Sequence, residues 1–437
     1  MRLLQKETIE KIYNRKMLFC LVLILLILLY LPILQLFSIG TDNGSIPASL
    51  CYVFSVLFLP YLLLNIKELI FPPWYITFLW LYVVAFAGVR LKQYGISKSI
   101  LHWLFGFYLL VIVLNVNKKL KKEDWLHILE IGACVFAVIH FLYMLWNHDI
   151  VWALICGNFR GNPNGVYAFQ LPSLTRGGRN LDCTWLGLGA FFLKGKKKAF
   201  YITYAILYAF FGASRVGVIS ICLAIVWSLI YDPLYKMTKT NCKWYCLYAS
   251  VLLIVLFGSG TAQTFLARMS ISVPAPAQCI EGFEESTGGQ NDLPVSVQEF
   301  TEQMLSGRAA MWKRVPQMFA DNPMGYGVGN ALRVMRLEYG FQGKEDVIHN
   351  VFLQWTLDEG VIGGVWYLGL LFAFLYNQWK KRPKFFTSPY EGYFFTYFVL
   401  SLVQFHGGEA LMIFVLGCYL IDSNVKCMTL KSKFVSD

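Results

Sequence analysis

Apolar runs of roughly membrane-spanning length recur along this 437-residue chain, and no other feature constrains its fold as much. About 20 apolar residues in a helix cross the hydrocarbon core of a bilayer, where each backbone N–H and C=O must be satisfied within the segment. Such runs fall near 17–38, 46–66, 72–89, 99–116, 125–146, 180–194, 199–214, 216–231, 244–260, 350–376, 391–405 and 410–422. Only 15% of residues are charged against 57% hydrophobic, which excludes an ordinary soluble domain of this size. The expected fold is an all-α polytopic membrane protein of about 12 transmembrane helices with a large helical extracytoplasmic loop. Several runs are short, so tilted, half-length or broken helices are expected among them.

Positive charge sets the orientation, because cytoplasmic segments retain Lys and Arg. The N-terminal tail, Lys118 to Lys122, Lys194 to Lys198, Lys236 to Lys243, Lys380 to Lys384 and the C-terminal tail alternate onto one face. With Lys67 that face holds 24 of the 38 basic residues, so both termini are expected in the cytoplasm. Three of the remaining 14, between Arg90 and Lys98, do not follow the rule. The first run has no small-residue cleavage site and reads as a retained signal-anchor. A formal charge of +12 is explained by inside loops facing anionic lipid, and no nucleic-acid partner is expected. The 11 cysteines show no metal-ligand spacing; Cys156 and Cys279 fall outside, where a disulfide is feasible.

Three regions follow: helices 1–9 within 1–260, including an outer loop at 147–179; a large outer loop at 261–349; and the last three helices with the cytoplasmic tail at 350–437. Loops this long in a compact protein are usually functional or disordered. Residues 261–302 carry one Arg against six acids among Pro and Gly and read as a flexible acidic stretch. Beyond them Met311, Trp312, Val315, Met318 and Phe319 form an apolar stripe of helical period, kinked at Pro316, and Arg308 shares it. An arginine on an inward face needs an anion, although a snorkelling or salt-bridged structural role also fits. The turn from Asp321 to Ala331 has alternating glycines but no preceding strand, so it reads as a chain reversal and not a nucleotide site.

Arg215, between two apolar runs in FGASRVGVIS, sits at the outer membrane boundary, where ionisable groups are expensive. Guanidinium groups bind phosphate by paired hydrogen bonds, which makes Arg215 and Arg308 candidates for a pyrophosphate site. Interfacial anchoring is the alternative for Arg215, and Arg160 and Arg176 read as solvated loop charges. Arg179, at the mouth of the 180–194 run, is a secondary candidate. His349 and Asn350 stand where the large loop enters a helix expected to run some 28 residues as one piece. The positive end of a helix dipole favours a neutral, base-competent imidazole there, and simple helix capping is the alternative. Asp358 and Glu359 follow within the apolar run, Gly360, Gly363 and Gly364 form a small-residue patch, and His406 and Glu409 occupy a later outer turn; Glu359, His406 and Glu409 are further secondary candidates. His102, His127 and His140 read as structural. No phosphate-binding loop, Asp-x-Asp, His-Glu-x-x-His or Gly-x-Ser-x-Gly sequence is present, so neither metal nor nucleotide cofactor is expected.

His349, Asn350, Gly360 and Gly363 together resemble the mark of the O-antigen ligase and polymerase family: His, then Asn, Ser or Gln, nine residues, Gly, two residues, and Gly, Thr or Tyr. RAAMWKRVPQMFADNPMGYGVGNA resembles that family's Arg-x-x-x-Trp helix and Asn-Pro, Gly-x-Gly turn; GASRVGV resembles its Ser-Arg-Gly segment, with Val216 in place of the Gly. The resemblance covers roughly 205–376. It implies a GT-C-like, metal-independent glycosyltransferase of the cytoplasmic membrane, acting at its outer face on an undecaprenyl-pyrophosphate-linked glycan donor. Arg215 and Arg308 would hold the pyrophosphate, and His349 with Asn350 would serve the acceptor hydroxyl. The implied partners are the lipid-linked donor, an acceptor glycan and membrane lipids, with room for a chain-length regulator protein. Polymerisation of O-antigen or capsular repeat units is the leading expectation. Ligation to lipid A core follows closely; protein O-oligosaccharyl transfer and a lipid-linked oligosaccharide flippase rank below.

Overall fold

The computed structural model describes residues 11–31, 35–41, 44–94, 99–149, 151, 173–174, 178–212, 214–231, 250, 253–254, 308–341, 348–381, 385–403, 410–423, 425 and 427–429. In chain order the main elements are α1 (Arg15–Tyr30), β1 (Gln35–Thr41), β2 (Gly44–Ser49), α2 (Leu50–Ser55), α3 (Leu59–Leu64), β3 (Ile70–Phe71), α4 (Trp74–Tyr94), α5 (Ser99–Val116) and α6 (Lys122–Trp146). There follow α7 (Gly178–Gly189), α8 (Gly195–Phe211), α9 (Arg215–Tyr231), α10 (Arg308–Trp312), α11 (Val315–Asp321) and α12 (Ala331–Glu338). Last come α13 (Val351–Asp358), α14 (Gly360–Lys380), α15 (Pro389–Ser401), α16 (Ala410–Asp422) and β4 (Met428–Thr429). The described chain is predominantly helical, and α6 and α14 are long and apolar enough to cross a membrane. α4, α5, α9, α16 and the interrupted stretch Leu50–Leu64 are shorter apolar helices. Most of the 244–260 run lies outside the described residues.

The chain divides into two compact units, residues 1–136 with 312–437 and residues 137–311. In the first, α5 packs along α16, and α1 packs on α2 and α16. Trp125 of α6 meets Phe414 of α16 edge-on, and Tyr30 of α1 stacks on Phe136. Charged side chains fasten several helix ends to one another. Arg15 grips Asp124 with two hydrogen bonds of 2.9 and 2.7 Å, Lys122 pairs with Asp422 at 2.7 Å, and Lys381 pairs with the buried Glu391. Buried Asn115 of α5 acts as a strand partner, accepting from the Ile70 N–H and donating to the Ile70 carbonyl, so β3 is held on the helix.

Two expected spans take a different form. The first helix ends at Tyr30, and residues 35–41 pair antiparallel with 44–49 as a hairpin. The second run is broken into α2, a 3-10 turn and α3, with Pro60 in the first turn of α3, where proline's missing N–H costs no helical bond.

The second unit contains α7, α8 and α9, which pack on one another. Asp182 of α7 is fully buried, and its carboxylate accepts from the Leu174 N–H at 2.8 Å and lies 3.2 Å from His140 Nε2. His140 Nδ1 bonds the Tyr204 hydroxyl, and the Tyr208 hydroxyl donates to Asp182 at 3.4 Å. A histidine expected to be structural is thus one partner in a buried polar cluster, which satisfies groups that would otherwise be costly in an apolar interior.

What carries the packing towards the candidate site is indole. Trp80 of α4 donates its Nε1–H to the Trp103 carbonyl at 2.7 Å, and the Trp103 ring lies 5.4 Å from Trp355 of α13. Both Trp103 and Trp355 are buried. Trp103→Ala should cost about 3–5 kcal/mol of stability, as for other buried tryptophans, read as a fall in Tm of the detergent-purified protein.

Candidate functional site

The apolar run after His349 is not one helix. α13 ends at Asp358 and α14 starts at Gly360, with Glu359 between them and Gly360 at φ +71°. A side chain at that φ is strained. A Cβ on Gly360 would also stand 2.5 Å from the Pro323 carbonyl oxygen and 2.4 Å from the Met324 carbonyl carbon. At Gly363 a Cβ would meet the Trp355 carbonyl oxygen at 2.3 Å. The two motif glycines therefore make room for the break and for the chain lying against it, a more specific role than the small-residue patch expected.

The chain in question is the glycine-rich turn after α11. Leu357 and Asp358, at the end of α13, have carbonyls with no partner inside the helix. They accept from the N–H groups of Tyr326 at 2.9 Å and Gly327 at 2.7 Å. In return the Val361 N–H, an orphan of the first turn of α14, donates to the Pro323 carbonyl at 3.0 Å. The Asp358 carboxylate, 3% exposed, accepts from the N–H groups of Gly329 at 2.9 Å and Ala331 at 3.0 Å and from Gln354 Nε2 at 2.6 Å. It thus caps the start of α12, where a negative charge is favoured by the helix dipole. The turn is a clasp on a broken helix. Arg90 of α4, one of the cations that the orientation rule does not explain, donates to Asn322 Oδ1 of this clasp at 3.2 Å and lies over the Phe86 ring.

His349 is half-buried and has φ +58°, in the left-handed region. Its neighbours are fixed on both sides. Buried Ile348 donates its N–H to Gln354 Oε1 at 3.1 Å, and its carbonyl accepts from Trp312 Nε1 at 2.9 Å. Asn350 is the N-cap of α13: its Oδ1 accepts from the Leu353 N–H at 3.0 Å while its Nδ2 donates to the Leu402 carbonyl at 3.0 Å. The Asn of the His-Asn pair therefore starts the helix and ties it to the end of α15. Sequence reasoning alone misses Gln354. A signal for it exists, since Gln354 and Asp358 are four apart on one face of an otherwise apolar helix.

In the other unit Arg215 is half-buried at the N-terminus of α9, a helix end that itself favours anions. Ser214 Oγ accepts from the Gly217 N–H at 3.1 Å and so caps this helix. Gly217 faces Cys183, and Ser220 faces Gly187, drawing α9 tightly onto α7. Arg308 is half-buried and heads α10. The kink expected at Pro316 is a break between α10 and α11, with Pro316 in the first turn of α11 and Met311, Val315 and Met318 buried. Arg179 lies in the first turn of α7. Glu359 is 2% exposed and neither carboxylate oxygen makes a hydrogen bond among the described residues; the Tyr82 hydroxyl donates to its main-chain carbonyl. His406, Glu409, Arg160, Arg176, Cys156, Cys279 and the acidic 261–302 stretch lie outside the described residues. No metal-binding group of His, Cys, Asp and Glu occurs among the described residues.

Residues 200–368 match the family model described as O-antigen ligase. That stretch is similar to the O-antigen ligase family over the residues that carry the motifs. It holds Arg215, Arg308, the clasp and the whole His349 to Gly363 stretch, and ends just beyond the second motif glycine. Its family is membrane-integral and consists of glycosyltransferase-like enzymes of surface polysaccharide assembly, whose substrates are lipid-linked glycans. Comparison with curated proteins gives no match.

The stretch matched to the O-antigen ligase family contains its own control for the helix break. Gly340 has a similar φ of +63° but nothing within 4 Å of an added Cβ. Gly340→Ala should cost only the backbone term, about 1–2 kcal/mol. Gly360→Ala meets that term and the Pro323–Met324 backbone as well, so its Tm should fall well below that of Gly340→Ala.

Proposed function

We propose that this protein polymerises undecaprenyl-pyrophosphate-linked oligosaccharide repeat units, as O-antigen or capsular polysaccharide, at the outer face of the cytoplasmic membrane. The observation that carries the reading is His349. It lies within the matched family domain, half-exposed, in a backbone conformation fixed by both neighbours and at the head of a helix. A side chain presented so rigidly suits a positioned base.

In the proposed reaction the acceptor sugar hydroxyl attacks the anomeric carbon of the donor glycan. The new C–O bond forms as the bond from that carbon to the pyrophosphate breaks. The hydroxyl proton passes to His349, and undecaprenyl pyrophosphate departs with the bonding electrons. Arg215 and Arg308 hold the pyrophosphate and stabilise the charge that gathers on it. The carrier arrives already activated, so the step needs neither metal nor nucleotide. In this reading about 12 helices span the membrane, with both termini cytoplasmic and a chain-length regulator as a further partner. The matched model's description favours one second reading, ligation of the same donor to a lipid A core sugar.

Purified protein in detergent, given lipid-linked repeat units alone, should produce ladders of longer glycan. His349→Ala should slow their formation on the order of 10²–10⁴-fold, and Arg308→Ala should abolish them under the same conditions. Unchanged ladders in both variants would refute the catalytic assignment. Transfer only after addition of lipid A core would establish the ligase reading instead.

A further inference from the structure

We propose that Gln354 and Asp358 are positioning residues for His349, joining the glycine-rich clasp to the backbone that presents the imidazole. The inference rests on the reading of His349 as the acceptor-side group and names what holds it in place. A non-glycine residue in the left-handed region is tolerated only where its surroundings over-determine it. At Ile348 both main-chain groups are taken by side chains: the N–H by Gln354 Oε1 and the carbonyl by the Trp312 indole. Gln354 can offer its oxygen to Ile348 in one orientation only, because its amide donates to Asp358 at 2.6 Å.

That orientation is enforced by Asp358. Its carboxylate accepts two main-chain N–H groups of the clasp as well, so it is a pure acceptor there and presents no donor to Gln354. The amide nitrogen must therefore face Asp358 and the amide oxygen must face Ile348. The direction of hydrogen bonding runs from the clasp, through Asp358 and Gln354, to the residue before His349. Ile348, Gln354 and Asp358 are all buried. A displacement of about 1 Å at a reacting group can cost on the order of 10²-fold in rate, which sets the size of effect expected.

The test exploits this polarity. Gln354→Glu sets two carboxylates against each other and should lower kcat per folded enzyme on the order of 10²-fold, with the donor KM little changed. Adding Asp358→Asn reverses the polarity of the pair. The amide introduced at position 358 then donates to the carboxylate introduced at position 354, whose other oxygen still accepts from the Ile348 N–H. The double variant should recover part of the lost kcat, since the same amide nitrogen replaces the oxygen that accepts from the Gly329 N–H. Introduced into His349→Ala, Gln354→Glu should produce no further loss. Assays use detergent-purified full-length protein with lipid-linked repeat units, plus lipid A core if the wild type needs it. Full turnover in Gln354→Glu, no recovery in the double variant, or an equal further loss in the His349→Ala background would overturn the proposal. Full turnover in His349→Ala would instead refute the reading of His349 on which the proposal rests.

Discussion

A single buried carboxylate organises the motif-bearing part of this molecule. Asp358 accepts three N–H groups, and each serves a different end of the structure. One closes the glycine-rich turn, one begins α12, and one orients Gln354. An ionised carboxylate with three donors is well satisfied, whereas removing its donors would leave a desolvated charge worth several kcal/mol of penalty. The clasp, the helix break and the geometry at His349 therefore stand or fall together. Neighbouring Glu359 has the opposite environment, buried without a hydrogen bond to its carboxylate among the described residues, so one face of the break is tightly satisfied and the other is not.

Long apolar elements were legible because burial in lipid requires nothing subtler than uninterrupted hydrophobicity. α5, α6 and α16 follow the expected runs closely. What hydropathy averages away is local punctuation. Residues 35–41 pair with 44–49 where hydropathy alone continues a helix to 38. Pro60 interrupts a run whose length suits one span. Gly360 is the instructive case: a glycine in an apolar helix denotes close packing or a break, and nothing nearby in sequence distinguishes the two. The deciding contact comes from Pro323 and Met324, more than thirty residues upstream.

The candidate residues were legible by type and by resemblance, but their supports were not. Asn350 is visible as half of a family pair; that its amide reaches the Leu402 carbonyl depends on a helix fifty-two residues later. Trp312 belongs to an apolar stripe in sequence, and its indole is also a donor to Ile348. Periodicity sorts side chains by face and is blind to the polar tip on an aromatic body. Arg90 stands out in sequence only as an exception to a charge rule, and its hydrogen bond to Asn322 gives that exception a physical reason.

The break at Gly360 also sets a ruler. α14 has 21 residues, and at about 1.5 Å per residue it extends roughly 31 Å, close to the thickness of a bilayer's hydrocarbon core. With the clasp sewn to its N-terminal end, α14 and the segment that presents His349 are distinct pieces meeting at one joint. A thinner or thicker bilayer would be met by tilting α14. On the proposed membrane placement, lipid composition becomes a mechanical input to the height of the histidine above the membrane surface.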